Sequence, residues 1–260
     1  MSARTVRSGA AALIALALLL ILGLTELYRM RFSSGDLYPY GSSFRADPLG
    51  AKVLYEALRD LPGIDVLRHQ RPLTDLAYGR DTVVLLLGLQ AAEVEFATSP
   101  LLRDAEALAG GGTRVVLAFE PLTGEPWRES EGDPKPDSGA GQAEAHPPEK
   151  SAWQLRTRRL GLPDAEGGVP TPARAALTAE GAPPGLPAAL EVHTDLTFAA
   201  ESLDEHSRVI YRRDGAPVVI ERTVGRGSVV AVADGFLFAN EGLSRGRESA
   251  VLSWALGDRR

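Results

Sequence analysis

Apolar residues are patterned differently from one stretch of the chain to the next. The first pattern is a block: AAALIALALLLILGL from Ala10 to Leu24, inside an uncharged stretch running from Ser8 to Thr25. At ~1.5 Å per residue that helix would be about 27 Å long, close to the roughly 30 Å hydrocarbon core of a bilayer. A membrane anchor over residues 8–25 is expected, within an N-terminal segment 1–30. The competing reading is a cleaved signal peptide, but Thr25 to Arg29 offers no small-x-small cleavage site. Arg4 and Arg7 precede the run, whereas Glu26 and Asp36 mix with Arg29 and Arg31 after it. That asymmetry favours a cytoplasmic N-terminus and an extracytoplasmic body at the inner membrane, in a single-pass arrangement.

In residues 31–260 the periods shorten. Leu49, Val53, Leu54, Ala57, Leu58 and Leu61 recur at helical spacing behind Asp47-Pro48, an N-cap side chain followed by proline, and Pro62-Gly63 stops the run. This predicts a helix over 48–61. Ile64 to Arg68 reads as a short strand. Thr82 to Leu87 (TVVLLL) and Arg114 to Phe119 (RVVLAF) are continuous apolar runs without alternation, the pattern of strands covered on both faces in a mostly parallel sheet, with the first of them central. Between them, 92–109 is a helical pattern interrupted at Ser99-Pro100 and closed by Gly110-Gly111-Gly112.

Leu190 to Phe198 predicts a strand. Arg208 to Arg213 and Pro217 to Val224 flank Asp214-Gly215, a type I′ hairpin signal, and Ser228 to Ala233 (SVVAVA) completes a meander with an internal last strand. A helix over 246–256 follows, turning Ala250, Val251 and Trp254 inward, with Gly257 as its stop. Strands separated by helical stretches argue for a layered α/β domain over residues 31–260. Two segments, 122–150 and 161–187, are rich in proline and glycine and poor in large apolar residues. Neither can bury enough surface to offset its ordering entropy, so both are expected to be disordered loops.

Charge and composition narrow the chemistry. Lys and Arg number 28 against 34 Asp and Glu, a net charge of -6 with no basic block, so there is no electrostatic footprint for nucleic acid. The absence of cysteine removes disulfides, thiolate metal sites and cysteine nucleophiles. Phosphate-loop, dinucleotide, metalloprotease and nucleophile-elbow motifs are absent. The histidines His69, His146, His193 and His206 have no metal-ligand spacing and read as surface or structural, and neither a metal nor a cofactor is expected.

The remaining guide is geometric: ligands of open α/β sheets bind beyond the carboxyl ends of the strands. Those ends carry Gln90, Glu120, and Asp234 with Asn240 and Glu241, while Ser42, Ser43, Arg45 and Asp47 precede the first helix. These nine residues are the candidate ligand site. Each also has an ordinary structural explanation: Asp47 as a cap, Arg45 paired with a carboxylate, Asn240 in a turn, Glu241 solvated.

Tyr40-Gly-Ser-Ser-Phe-Arg-Ala-Asp-Pro-Leu-Gly-Ala-Lys-Val-Leu-Tyr-Glu-Ala-Leu58, Gly63 to Val66, and the tail from Pro217 to Leu243 resemble the domain-of-unknown-function 4350 family. The resemblance implies a Rossmann-like fold similar to class I glutamine amidotransferases and to auxiliary subunits of gliding-type ABC transporters. It also implies membrane anchoring and a gene encoded near those of a MoxR-type ATPase and related membrane proteins. Enzymes of that superfamily use a cysteine nucleophile, which this chain lacks, so their reaction is not carried over. The expectation is a non-enzymatic accessory or binding protein with a partner in a membrane complex. Its rivals are a hydrolase using Ser42 or Ser43, or carboxylates such as Glu120 and Asp234, and an architectural module that recruits proteins through its loops.

Overall fold

Uninterrupted apolar runs suit strands that are covered on both faces. The structure, a computed structural model, describes residues 15–28, 38–76, 79–94, 99–120, 153–160, 173–178, 183–245 and 249–257. In chain order these form helix α1 over 15–28, α2 (Lys52–Arg59), β1 (Val83–Leu89), α3 (Pro100–Gly110) and β2 (Arg114–Phe119). Then come β3 (Thr157–Arg159), β4 (Ala173–Leu177), β5 (Ala189–Val192), β6 (Leu196–Phe198), β7 (Ser207–Arg213), β8 (Ala216–Val224), β9 (Gly227–Val232), α4 (Asn240–Ser244) and α5 (Ser249–Leu256).

Seven strands make one sheet in the order β1-β2-β9-β8-β7-β4-β5, and β3 pairs with β6 in a separate ribbon. Only β1-β2 and β2-β9 are parallel; every other pairing is antiparallel. The sheet is therefore mixed rather than mostly parallel. β2 and β9 lie inside the sheet, and β2 is buried along its whole length, Arg114 included. β1, expected to be central, is instead an edge strand whose residues 83–88 are only half-buried. Hydrophobicity alone could not separate a strand covered on its faces from one enclosed by neighbours.

Register places Arg114, Ser228 and Glu221 on one face and Val115, Val229 and Arg222 on the other. Arg114 reaches the end of α5, donating to the Ala255 carbonyl at 2.7 Å, whereas Arg222 reaches Glu106 of α3 at 2.9 Å. Helices thus cover both faces, and the core runs through β2, β8 and β9 to Leu102, Leu108, Val251 and Ala255. The β3-β6 ribbon joins the α3 face, where Phe198 meets Phe119 edge-on at 5.7 Å.

Several boundaries differ from expectation for local reasons. The first helix is shorter than 48–61, because Asp47 to Gly50 forms a turn and Ala51 precedes the first helical residue. Residues 64–70 are irregular rather than a strand, with Leu67 81% exposed. The 92–109 pattern divides into a 3₁₀ turn, Ala91–Glu93, and α3, whose N-cap Ser99 accepts from the Leu102 N–H. The 190–198 run breaks at His193-Thr194-Asp195 into β5 and β6. β4 lies inside the segment 161–187 expected to be disordered; its alternating ARAAL buries Ala173 and Ala175.

The hairpin at Asp214-Gly215 is as expected, with φ of 49° and 83° at its two corner residues. The loop 122–150 lies outside the described residues, as do 161–172, 179–182 and residues 8–14 of the expected anchor. Among the described residues no helix is long and apolar enough to cross a membrane.

Candidate functional site

The carboxyl ends of β1, β2 and β9 lie side by side, and the turn at 38–50 closes over them. Glycines permit that approach. Gly88, at a bulge in β1, has φ of 77°, and a Cβ there would overlap the Tyr40 carbonyl oxygen. At Gly235 a Cβ would stand 2.5 Å from the Phe119 carbonyl oxygen and 3.3 Å from Cε1 of Tyr40. The Tyr40 ring consequently rests at the junction of β2 and β9.

Most of the residues expected to bind a ligand here are bound to the protein itself. Arg45 forms a two-pronged pair with Asp47, both contacts at 2.7 Å, and donates to the Tyr38 carbonyl at 3.1 Å. Hydrogen bonding from that guanidinium holds the Asp47 carboxyl below the usual carboxylate range. Asp47 is not the helix cap; its Oδ1 accepts from Leu49 N–H at 3.0 Å within the turn. Ser42 Oγ accepts from Phe44 N–H at 3.3 Å, and Ser43 Oγ accepts from Arg68 Nε at 2.9 Å. Arg68 in turn stacks between Phe44 and Tyr55.

Asn240 supplies the missing helix cap from almost two hundred residues away. Its Oδ1 accepts from Val53 N–H at 2.8 Å, and its Nδ2 donates to the carbonyls of Arg45 and Asp47 at 3.1 and 2.6 Å. Glu241 pairs with Arg245 at 2.5 Å, and Gln90 is exposed at the start of the Ala91–Glu93 turn, its N–H bonded to Glu93 Oε2 at 2.6 Å. Asp234 is 1% exposed and committed on both oxygens: Oδ1 accepts from Phe236 N–H at 3.0 Å and Oδ2 from His193 N–H at 2.6 Å.

A smaller set remains chemically available. The carboxylate of Glu120 makes no hydrogen bond or ion pair with a described residue. Burial and then the nearby charge of Glu93 push its pKa up, against an opposing pull from Arg45. Tyr40 is 8% exposed, and its Oη is buried without a hydrogen-bond partner among the described residues. Burial, then the charges of Asp234 and Glu120, drive its phenol far above the ordinary range. His193 lies with Nδ1 3.4 Å from Asp234 Oδ2 and its ring 4.0 Å from that of Phe236. Its Nε2 is buried with no hydrogen-bond partner among the described residues.

Tyr40 and His193 are absent from the sequence-derived set. Tyr40 carries no motif, and His193 looked isolated because its neighbour Asp234 is distant in sequence; the available signal was a polar His-Thr-Asp break in an otherwise apolar run. Among the described residues no cluster of His, Asp or Glu is arranged to hold a metal. A shallow depression of about 290 Å³ elsewhere, lined by His206, Arg222, Thr223, Val224 and Gly225, is a surface feature. Its one buried charge, Arg222, is satisfied by Glu106 and Asp204.

Comparison with known proteins adds a family and little else. A family profile described as a domain of unknown function (DUF4350) matches residues 43–256. No match is found among curated proteins. Among solved structures, the cytoplasmic protein STM1381 from Salmonella typhimurium LT2 is similar at 13% identity, covering 79% of this chain and 84% of that one with a TM-score of 0.44. The exo-β-1,4-mannosidase Op5Man5 from Opitutaceae bacterium strain TAV5 is similar at 15% identity over 67% of this chain, with a TM-score of 0.31. The β-galactosidase from Bacillus circulans sp. alkalophilus is similar at 12% identity over 65%, with a TM-score of 0.32. The chain spans 24% and 22% of those two glycosidases.

Proposed function

The chain belongs to the DUF4350 family, and on that premise we propose that it is a membrane-tethered accessory protein, not an enzyme, that binds a partner in a membrane complex. In this reading the α/β domain is a catalytically inactive relative of glutamine amidotransferases, held at the inner membrane by residues 8–25 with its body outside the cytoplasm. The observation that carries the reading is the occupation of the would-be nucleophiles. Ser42 and Ser43 hydroxyls accept hydrogen bonds from a backbone N–H and a guanidinium, and among the described residues neither is hydrogen-bonded to a carboxylate, lysine or histidine that would act as its base. Cysteine is absent altogether. Exposed apolar side chains at Val53, Leu61, Ile64 and Leu67 give a partner something to bury.

The test is crosslinking of the full-length protein in its native membrane, followed by identification of what co-purifies with wild type and with Leu67→Glu. A defined membrane partner, diminished by the substitution, is the expected result. Because Leu67 is exposed, the variant should fold normally, and an identical or empty set of partners for both proteins would overturn the reading. A second reading, a carboxylate-dependent hydrolase, is favoured by Glu120 alone, since Asp234 is spent on backbone N–H groups. Its signature would be a hydrolytic activity abolished by Glu120→Gln.

A further inference from the structure

We propose that the face built by the turn at 38–44, α2 and the loop 59–72 rests on the surface of the bilayer. Leu61, Ile64 and Leu67 insert among the headgroups, and Arg59, Arg68 and Arg71 meet the phosphates of anionic lipid. The docking rests on the tether proposed above and goes beyond it, by stating what covers this face. Measured contacts make the face continuous. Tyr38 stacks on Phe44 at 5.2 Å, and the Arg68 guanidinium stands 4.1 Å from the centre of the Phe44 ring and 3.7 Å from that of Tyr55. Arg59 lies 5.9 Å from the same Tyr55 ring. Arg68 also ties the loop to the turn, donating to the Ser43 hydroxyl at 2.9 Å and to the Ser43 carbonyl at 2.7 Å.

Six large apolar side chains outside α1 are exposed among the described residues, and five of them lie between Tyr38 and Leu67; the sixth is Leu160. Tyr38, Leu61 and Ile64 are 45–48% exposed and Leu67 is 81% exposed. Apolar side chains gathered in this way mark a surface that something covers. Position in the chain selects lipid. From the end of α1 at residue 28 to Tyr38 is ten peptide links, a reach of at most about 36 Å. A tether of that length keeps the face at an effective concentration on the order of millimolar against the bilayer, so a patch too weak to recruit a free protein suffices. The chemistry agrees. Aromatic rings favour headgroup depth, and in Leu67-Arg68-His69-Gln70-Arg71 an apolar side chain that enters the interface has arginines beside it at phosphate level. Residues 38–71 carry five basic side chains against four acidic, a balance of +1, whereas the whole chain carries -6. An anionic surface therefore favours this face over the remainder.

The absence of cysteine makes the test clean, because one introduced thiol carries a nitroxide label at a chosen position of the full chain. Leu67→Cys reports the face and Leu18→Cys the tether. Glu205→Cys reports the other end of the sheet: its side chain is 87% exposed, just before β7, whose start aligns through β8 with the amino ends of β9 and β2. Each labelled protein is reconstituted into vesicles of phosphatidylcholine, alone or mixed equally with phosphatidylglycerol. Relaxation of the nitroxide by oxygen, which partitions into lipid, is compared with relaxation by a water-soluble nickel chelate.

In the mixed vesicles the label at residue 67 should be relaxed by oxygen and shielded from nickel, and the label at residue 205 the reverse. Removing the exposed charges with Arg59→Gln and Arg71→Gln should weaken docking about fivefold for each arginine in the mixed vesicles, and little in phosphatidylcholine alone. A label at residue 67 that stays open to nickel in both kinds of vesicle overturns the proposal, as does equal shielding of residue 205. Shielding that needs no phosphatidylglycerol and is unmoved by the double substitution overturns the assignment to anionic lipid. A protein partner is the competing occupant, and the vesicles contain none: shielding of residue 67 in native membranes alone would give the face to a protein and leave the accessory reading standing. A label at residue 18 that stays in water removes the tether, and the docking with it.

Discussion

Replacing Asn240 by alanine tests whether this residue binds a ligand or holds the fold. The side chain is 7% exposed and makes three hydrogen bonds, one to the unsatisfied N–H of Val53 in the first turn of α2 and two to carbonyls of the 45–50 turn. A net contribution of about 1 kcal/mol per bond gives a loss of about 3 kcal/mol for Asn240→Ala. Part of that is the loss of a helix cap, itself worth about 1 kcal/mol. Asn240→Asp keeps the acceptor for Val53 but forfeits both donors and turns a carboxylate toward two carbonyl oxygens, so its loss should be about 2 kcal/mol or more.

Urea denaturation of the full chain in mild detergent, read by near-ultraviolet circular dichroism, gives the free energies. Hydrogen exchange at the Val53 amide separates the contributions: it should accelerate in the alanine variant relative to the aspartate one. A loss below about 1 kcal/mol for Asn240→Ala, or Val53 exchange unchanged by it, would refute the cap. A retained fold with altered ligand binding would return Asn240 to the list of ligand residues.

Arg114 is a parallel case in the core: it pairs with Glu221 at 2.5 Å and donates to Ser228 Oγ and to the carbonyls of Trp254 and Ala255. Arg114→Met should cost about 3 to 5 kcal/mol, because Glu221 is left behind with only Arg208. Burial alone would raise the Glu221 pKa, but the guanidiniums of Arg114 and Arg208 outweigh it and hold the carboxyl below its ordinary value. A lowered folded pKa contributes stability that is present above the unfolded carboxylate value and is lost as pH falls through the folded one. Urea midpoints measured downward from pH 6 should therefore fall less steeply in the variant than in wild type. Gly88→Ala places a Cβ against the Tyr40 carbonyl at a φ of 77° and should cost at least about 1 to 3 kcal/mol; an unchanged Tm would show that the turn at Tyr40 is free to move.

Local physics made much of the fold legible. Continuous apolar runs mark β1, β2 and β9 because a strand covered on both faces has no polar positions to spare, and Asp214-Gly215 marks the β7-β8 hairpin because type I′ corners need positive φ. The sequence by itself also determined that no cysteine chemistry is possible.

Which residues at the strand ends are available was decided only by the tertiary structure. Asp47-Pro48 reads as a helix start, yet Asn240 caps α2 from the far end of the chain, since a hydrogen bond is satisfied by whichever group the fold brings within reach. β1 reads as central but forms an edge, because its period reports burial of its faces and carries no information about its neighbours. His193 and Tyr40 escaped notice, and Ser42, Ser43 and Asp47 drew attention, for a single reason. A polar side chain is free or spent according to its partners in space: Ser42 and Asp47 are spent on Phe44, Arg45 and Leu49 close by in sequence, whereas the partners of Ser43 and His193, Arg68 and Asp234, are residues that no local window contains.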